Sequence, residues 1–143
     1  LANSACMVLG YGRIGKVLAK NLAALGANVL VVARKHSDLA WAQINNCTPV
    51  PIENLTDHLR GVDVLFNTVP TMLLDEEKLS ILSRKCLVID LSSKPGGVDF
   101  ETAKMLGLKT VWALSLPGQC APITAGDITL GTIMNILQER GIV

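Results

Sequence analysis

The chain has 143 residues, the length of one domain able to bury a single core. Half of the residues are apolar, only 3% are aromatic and mean hydropathy is +0.42, a mix suited to a parallel sheet of Val, Ile and Leu covered on both faces. A net charge of +1 gives no global electrostatic case for nucleic acid or an anionic membrane, and no apolar run approaches the length of a membrane span.

The first stretch is an apolar run, Ser4 to Leu9, that meets Gly10-Tyr11-Gly12-Arg13-Ile14-Gly15 and then a helical pattern. A lone G-x-G-x-x-G is a weak signal, but between a strand and a helix it marks a dinucleotide site. Gly10 allows the tight turn out of the strand, Gly12 lets a pyrophosphate approach the backbone, and Gly15 lets the helix pack against the strand it left. The free N–H groups of Arg13 and Ile14, with the helix dipole, then face the phosphates. The helix is predicted over Arg13 to Leu25, with Ile14, Leu18, Leu22 and Leu25 as its buried stripe and Gly26 as its C-terminal cap.

Asn28 to Ala33 reads as a central parallel strand, and Ser37 or Asp38 as the cap of a short helix ending near Ile44. Thr48-Pro49-Val50-Pro51 is a short strand whose two prolines lack ladder donors, which sends it to a sheet edge. Next come a short helix over about Glu53 to Arg60, a break at Gly61 and a strand from Asp63 to Thr68. Asp75 caps a helix through about Ser83, Cys86 to Leu91 is a strand, and Asp99 caps a helix that Gly107 ends. Lys109 to Ala113 is the sixth strand, and a last helix runs from about Thr124 to Glu139 with Ile133, Met134, Ile136 and Leu137 as its apolar side. Strict alternation implies a doubly wound parallel sheet, three layers α/β/α, of the Rossmann type, with strand order 3-2-1-4-5-6.

The four cysteines show no C-x-x-C and no metal-ligand clustering, so no metal site is expected. Cys6 and Cys86 sit in apolar runs as small core residues, and a reduced, cytosolic compartment is the expected setting. No signal-peptide pattern opens the chain. It starts at Leu1 and enters a strand almost at once, which reads as a piece of a longer protein or as a free-standing domain with a processed start.

The end of the second strand bears on the cofactor. An NAD enzyme usually places Asp or Glu there to hold the ribose 2′-OH. This chain reads Ala33-Arg34-Lys35-His36-Ser37, with no carboxylate until Asp38. Ala33 cannot hold the hydroxyls, whereas Arg34 and Lys35 attract a 2′-phosphate and Ser37 can donate to it. NADP is therefore expected, with NAD as the alternative.

Ligands in such sheets bind beyond the carboxyl ends of the strands. Asn67-Thr68-Val69-Pro70 is expected to line the nicotinamide side of the cofactor, together with Leu91, Ser92 and, after the sixth strand, Leu116. Ser92, Ser93 and Lys94 bring two hydroxyls and a cation near the expected nicotinamide, so Lys94 is a candidate to bind a substrate carboxylate or assist proton transfer. A solvated turn with Gly96 and Gly97 supplying unusual backbone angles is the plainer reading of that loop. Asp90 is expected to accept loop N–H bonds. Hydride transfer needs no nucleophile triad or metal, because the cofactor carries the difficult step.

With these loops in view, the chain resembles the C-terminal, nucleotide-binding half of one family, that of the dipicolinate synthase A subunits. Three stretches carry the likeness: the glycine motif at 10–15, Asp90-Leu91-Ser92-Ser93-Lys94-Pro95-Gly96-Gly97-Val98-Asp99-Phe100, and Leu116-Pro117-Gly118-Gln119-Cys120-Ala121-Pro122-Ile123-Thr124-Ala125-Gly126. The first is shared with many dehydrogenases; the other two are more particular. The resemblance implies oxidation of dihydrodipicolinate to pyridine-2,6-dicarboxylate with NAD(P)⁺ taking the hydride. It also implies a second, flavoprotein-like subunit within an oligomer, the mother cell of a sporulating bacterium, and another domain ahead of this one. Two other readings stand beside it: a different dehydrogenase on the same fold, of shikimate or 2-hydroxyacid type, and a nucleotide-sensing module that controls a partner without turnover.

Overall fold

The computed structural model describes residues 1–141. They fall into two compact units, Leu1–Trp112 and the residues from Ala113 onward.

The first unit is built on six parallel strands: β1 (Ala5–Leu9), β2 (Asn28–Ala33), β3 (Thr48–Pro51), β4 (Val64–Asn67), β5 (Leu87–Asp90) and β6 (Lys109–Trp112). Their order is β3-β2-β1-β4-β5-β6, the doubly wound order the sequence predicts, with the prolyl strand at one edge. The connections carry α1 (Arg13–Ala24), α2 (His36–Ile44), α3 (Glu76–Ile81) and α4 (Phe100–Met105). Alternate side chains of a strand point to opposite faces. On β1, Met7 and Leu9 enter one buried cluster with Leu55, Leu65, Leu79 and Val88. Cys6 and Val8 enter another, with Ala19, Leu22 and Ala42 of α1 and α2. A strand buried on both faces has to read as a continuous apolar run, which is how β1 and β2 read.

Chain ends of the helices follow their sequence signals in most places. Gly26, at φ +81°, lies just past α1; its N–H donates to the Ala23 carbonyl, and the Ala27 N–H donates to that of Leu22, a paired bond pattern that satisfies the last carbonyls. Asp75 accepts from the Lys78 N–H and Asp99 from the Thr102 N–H, so both caps form as expected.

Four expectations need correction. The buried face of α1 is Gly15, Ala19 and Leu22, whereas Ile14 and Leu25 are exposed and Leu18 is half-buried. Leu22 is buried as expected, and the small Gly15 and Ala19, rather than Ile14, let α1 approach the sheet closely. Neither Ser37 nor Asp38 caps α2; the helix begins at His36, Lys35 holds the extended cap position, and Asp38 sits inside the first turn. The stretch expected as a helix from Glu53 to Arg60 forms two short 3₁₀ turns, Ile52–Asn54 and Thr56–His58. A 3₁₀ turn is the form taken by short connectors too brief to propagate a helix. The segment after β6, read as a loop, contains a short helix.

The second unit holds that helix, α5 (Leu116–Cys120), and α6 (Pro122–Glu139), joined at Ala121. Proline at the first position of α6 starts it two residues ahead of the expected Thr124. Among the described residues no helix is long and apolar enough to cross a membrane.

Candidate nucleotide-binding site

The turn at the end of β1 is held by two neighbours, Val32 and Thr68. The Gly10 N–H donates to the Val32 carbonyl at 2.9 Å, tying the turn to β2. Thr68 donates both its N–H and its hydroxyl to the Leu9 carbonyl, at 3.0 and 2.8 Å, tying it to β4. Residue 10 adopts φ +91°, and a Cβ there would stand 2.6 Å from both Thr68 Oγ1 and Val69 Cγ2. Glycine is therefore required twice over, by backbone angle and by space.

The other two glycines differ in kind. A Cβ on Gly15 would fall on the Gly10 carbonyl oxygen, so this position serves the packing of α1 on its own turn. A Cβ on Gly12 would meet no atom of the protein within 4 Å, and its φ of −77° is ordinary for any residue. Nothing among the described residues requires glycine at 12. The open space lies at the start of α1, where Gly12 provides no side-chain cap for the N–H groups of the first turn. Bare donors at a helix start with an open approach are what a pyrophosphate needs.

These elements border a cavity of about 440 Å³ at the carboxyl ends of β1, β2 and β4. Its floor and walls include Gly10, Gly12, Arg13, Ile14, Ala33, Arg34 and Lys35, and the far side is Thr68, Val69 and Pro70. All ten were expected from the sequence to bind the cofactor. Ile14, exposed rather than packed on the sheet, is one of the residues that line the cavity. Tyr11, Asp38, Ile52, Thr71 and Leu73 also line the cavity and were not expected. Ile52 follows the end of β3, so the strand-end rule would have found it had that edge strand been included; Thr71 and Leu73 simply prolong the loop after β4.

The lining is electropositive. Arg13, Arg34 and Lys35 are exposed, and the single acid among the lining residues, Asp38, is partly compensated by Lys16 at 3.5 Å. Tyr11 is buried, its hydroxyl accepting from Asn45 Nδ2 at 3.3 Å and Lys16 Nζ lying 5.5 Å from its ring centre. Burial raises the Tyr11 pKa despite the Asn45 hydrogen bond that opposes the shift, so the phenol stays neutral and carries no anion into the cavity. Size, charge and the open Gly12 approach fit a nicotinamide dinucleotide.

Gly15, Ser37, Asn67, Leu91 and Ser92, also expected, lie outside the cavity wall. Gly15 acts through packing, and Ser37 is an exposed residue of α2. Asn67 is fully buried beneath the loop after β4, its amide nitrogen donating to the Val69 carbonyl and its oxygen accepting from the Val69 N–H. Leu91 is half-buried and Ser92 is buried, with its hydroxyl donating to Asp90 Oδ1 at 2.7 Å. Ser93 and Lys94 are exposed, and Lys94 makes no ion pair among the described residues. Leu116 belongs to the second unit, where it opens α5. Asp90 does accept loop N–H groups, from Ser92 and from Gly97, as its place at a strand end suggested.

A doubly wound sheet with an uncapped helix start over an electropositive cavity defines a nicotinamide-nucleotide-binding domain of the dehydrogenase type. The chain belongs to the family of D-isomer specific 2-hydroxyacid dehydrogenase NAD binding domains, which matches residues 1–93. It is 42% identical over 132 residues to the dipicolinate synthase A subunit of Bacillus subtilis (strain 168), an alignment covering 92% of this chain and 44% of that protein. The crystal structure of the Bacillus subtilis dipicolinate synthase A chain superposes with a TM-score of 0.93 at 40% identity, over 96% of this chain and 46% of that one. For the dipicolinate synthase A subunit from Bacillus halodurans the values are 0.91 and 39%, over 95% and 47%. The chain thus spans about half the length of these relatives.

Proposed function

We propose that this chain is the nucleotide-binding module of an NADP-linked oxidoreductase that converts dihydrodipicolinate to dipicolinate. Likeness to the dipicolinate synthase A subunit along nearly the whole chain supports the reaction, and the cavity under the glycine turn carries the reading. A bound nicotinamide nucleotide would supply the hydride acceptor for aromatisation of the pyridine ring. The N–H groups of Arg13 and Ile14 hold the pyrophosphate, and Arg34 and Lys35 hold the 2′-phosphate of the adenosine ribose. Thr68, Val69 and Pro70 form the wall against the nicotinamide. Lys94, exposed on the loop after β5, binds a substrate carboxylate.

By the same resemblance, the module works beside a flavoprotein-like second subunit, in an oligomer, in the mother cell of a sporulating bacterium. Oxidation of a 2-hydroxyacid is the second reading, favoured by the family match over residues 1–93.

The test mixes the full-length protein and its partner subunit with dihydrodipicolinate and NADP⁺, following reduced cofactor and the ultraviolet absorbance of dipicolinate. Both signals should rise together. Cofactor reduction by a 2-hydroxyacid alone would support the second reading, and nucleotide binding without turnover would leave a sensing module.

A further inference from the structure

A carboxylate that is fully buried and has no cationic partner among the described residues stands at the end of β5. Asp90 Oδ1 accepts from the Ser92 N–H at 2.9 Å, the Ser92 hydroxyl at 2.7 Å and Asn67 Nδ2 at 2.9 Å. Asp90 Oδ2 accepts from the Gly97 N–H at 2.9 Å. One side chain therefore closes both ends of the loop that displays Ser93 and Lys94. Burying a carboxylate is costly unless hydrogen bonds replace its water, and here four donors do so.

The same cluster reaches the cavity. Asn67 grips Val69, a cavity-lining residue, through both its amide atoms. The Gly97 carbonyl accepts from the N–H groups of Leu73 and Leu74, each at 3.0 Å, and Leu73 lines the cavity as well. A Cβ on Gly97 would collide with Asn67 Nδ2 and stand 2.6 Å from the Val69 carbonyl oxygen, so the two loops are in direct contact there. Trp112, stacked on Phe100 at 5.2 Å between ring centres, donates its indole N–H to the Ser92 carbonyl at 3.2 Å. The buried acid thus adds a fixed relation between two loops.

We propose that Asp90 is a positioning residue: its carboxylate clasps the 92–97 loop shut and joins it to the cavity loop, so that Lys94 presents its ammonium group to a substrate carboxylate at a set distance from the bound nucleotide. The inference rests on the oxidoreductase reading above and adds a group that touches neither ligand.

The experiment uses the full-length protein with NADP⁺ and pyridine-2,6-dicarboxylate as probes. Its background replaces Trp41, and any tryptophan outside these 143 residues, by Phe, which leaves Trp112 as the reporter. In the background protein, dicarboxylate binding should change Trp112 emission, because the indole is bonded to the base of the loop. Asp90→Asn keeps the shape but turns a donor toward a donor. It should leave NADP⁺ affinity within about threefold and weaken dicarboxylate binding by about tenfold or more. Added to Lys94→Ala, it should weaken dicarboxylate binding little further, since both changes remove one contact. Equal loss of both ligands, full additivity with Lys94→Ala, or Trp112 emission indifferent to the dicarboxylate would each overturn the inference. The emission measurement needs no Asp90 variant, so an indifferent Trp112 overturns the inference even if Asp90→Asn does not fold. Failure of the background protein to bind the dicarboxylate at all would defeat the substrate reading too, which separates that failure from one confined to Asp90.

Discussion

The Gly10 carbonyl oxygen occupies the place where a Cβ on Gly15 would stand, whereas a Cβ on Gly12 would stand in open space. Two glycines of one motif thus differ in kind: the packing of the chain requires the one at 15, and nothing among the described residues requires the one at 12. Gly15→Ala must push α1 off its own turn, and overpacking of this kind costs about 1–3 kcal/mol. Gly12→Ala should change stability by less than about 1 kcal/mol while weakening nucleotide binding at least tenfold, since its methyl group enters the phosphate approach. Denaturant unfolding and nucleotide titration on the two variants check the contrast.

Arg34 and Lys35 line the cavity past the end of β2, where a carboxylate would otherwise hold a ribose. Loss of one hydrogen bond to a charged phosphate costs roughly 1.5–3 kcal/mol, about tenfold or more in affinity. Arg34→Ala should therefore lower NADP⁺ affinity by at least about tenfold and leave that for NAD⁺ nearly unchanged. An unaltered ratio of the two dissociation constants would return Arg34 to the role of a solvated surface charge.

Three of the four cysteines are buried, and burial raises each of their pKa values: Cys6 and Cys47 are pushed up, and Cys86 reaches about 11. Thiolate is the reactive form, so these three should be inert in the native state. Cys120 is exposed. A thiol reagent at pH 8 should titrate one group quickly in the native chain and four after denaturation.

Asp75 and Asp99 cap α3 and α4 and both have lowered pKa values, Asp75 chiefly through the Lys78 side chain and Asp99 chiefly through the Thr102 N–H. A carboxyl more acidic in the folded state binds fewer protons there than in the unfolded chain, so stability falls as pH drops. The contribution should be complete above the usual carboxylate range near 3.8 and disappear as pH falls through the lowered folded values. Asp75→Asn keeps a cap without the charge and should flatten this part of the stability–pH curve, measured by thermal melts from pH 6 downward. An unchanged curve would show that Asp75 titrates alike in both states.

Much of this molecule was legible in order along the chain. Apolar runs with no alternation announce strands covered on both faces, and glycines between strand and helix announce the turn. Two prolines announce an edge strand, because a residue without an N–H cannot serve an interior ladder. Carboxylates ahead of α3 and α4 announce their starts. These features are local: each follows from the conformational and hydrogen-bonding needs of a few neighbouring residues, and together they determined the strand order and ten of the residues around the cavity.

What only the tertiary structure decided depends on distances between segments far apart in sequence. The face of α1 that turns inward is chosen by how near the sheet comes, which favours Gly15 and Ala19 over Ile14. Residues 52–58 turn as 3₁₀ segments because that connection is short. Asn67 and Asp90 end two different strands and Gly97 lies on the loop after β5, and no periodicity brings them together. Their meeting follows from β4 and β5 lying side by side in register, Asn67 opposite Asp90, so that the two strand ends deliver a buried acid and its donors to the same point.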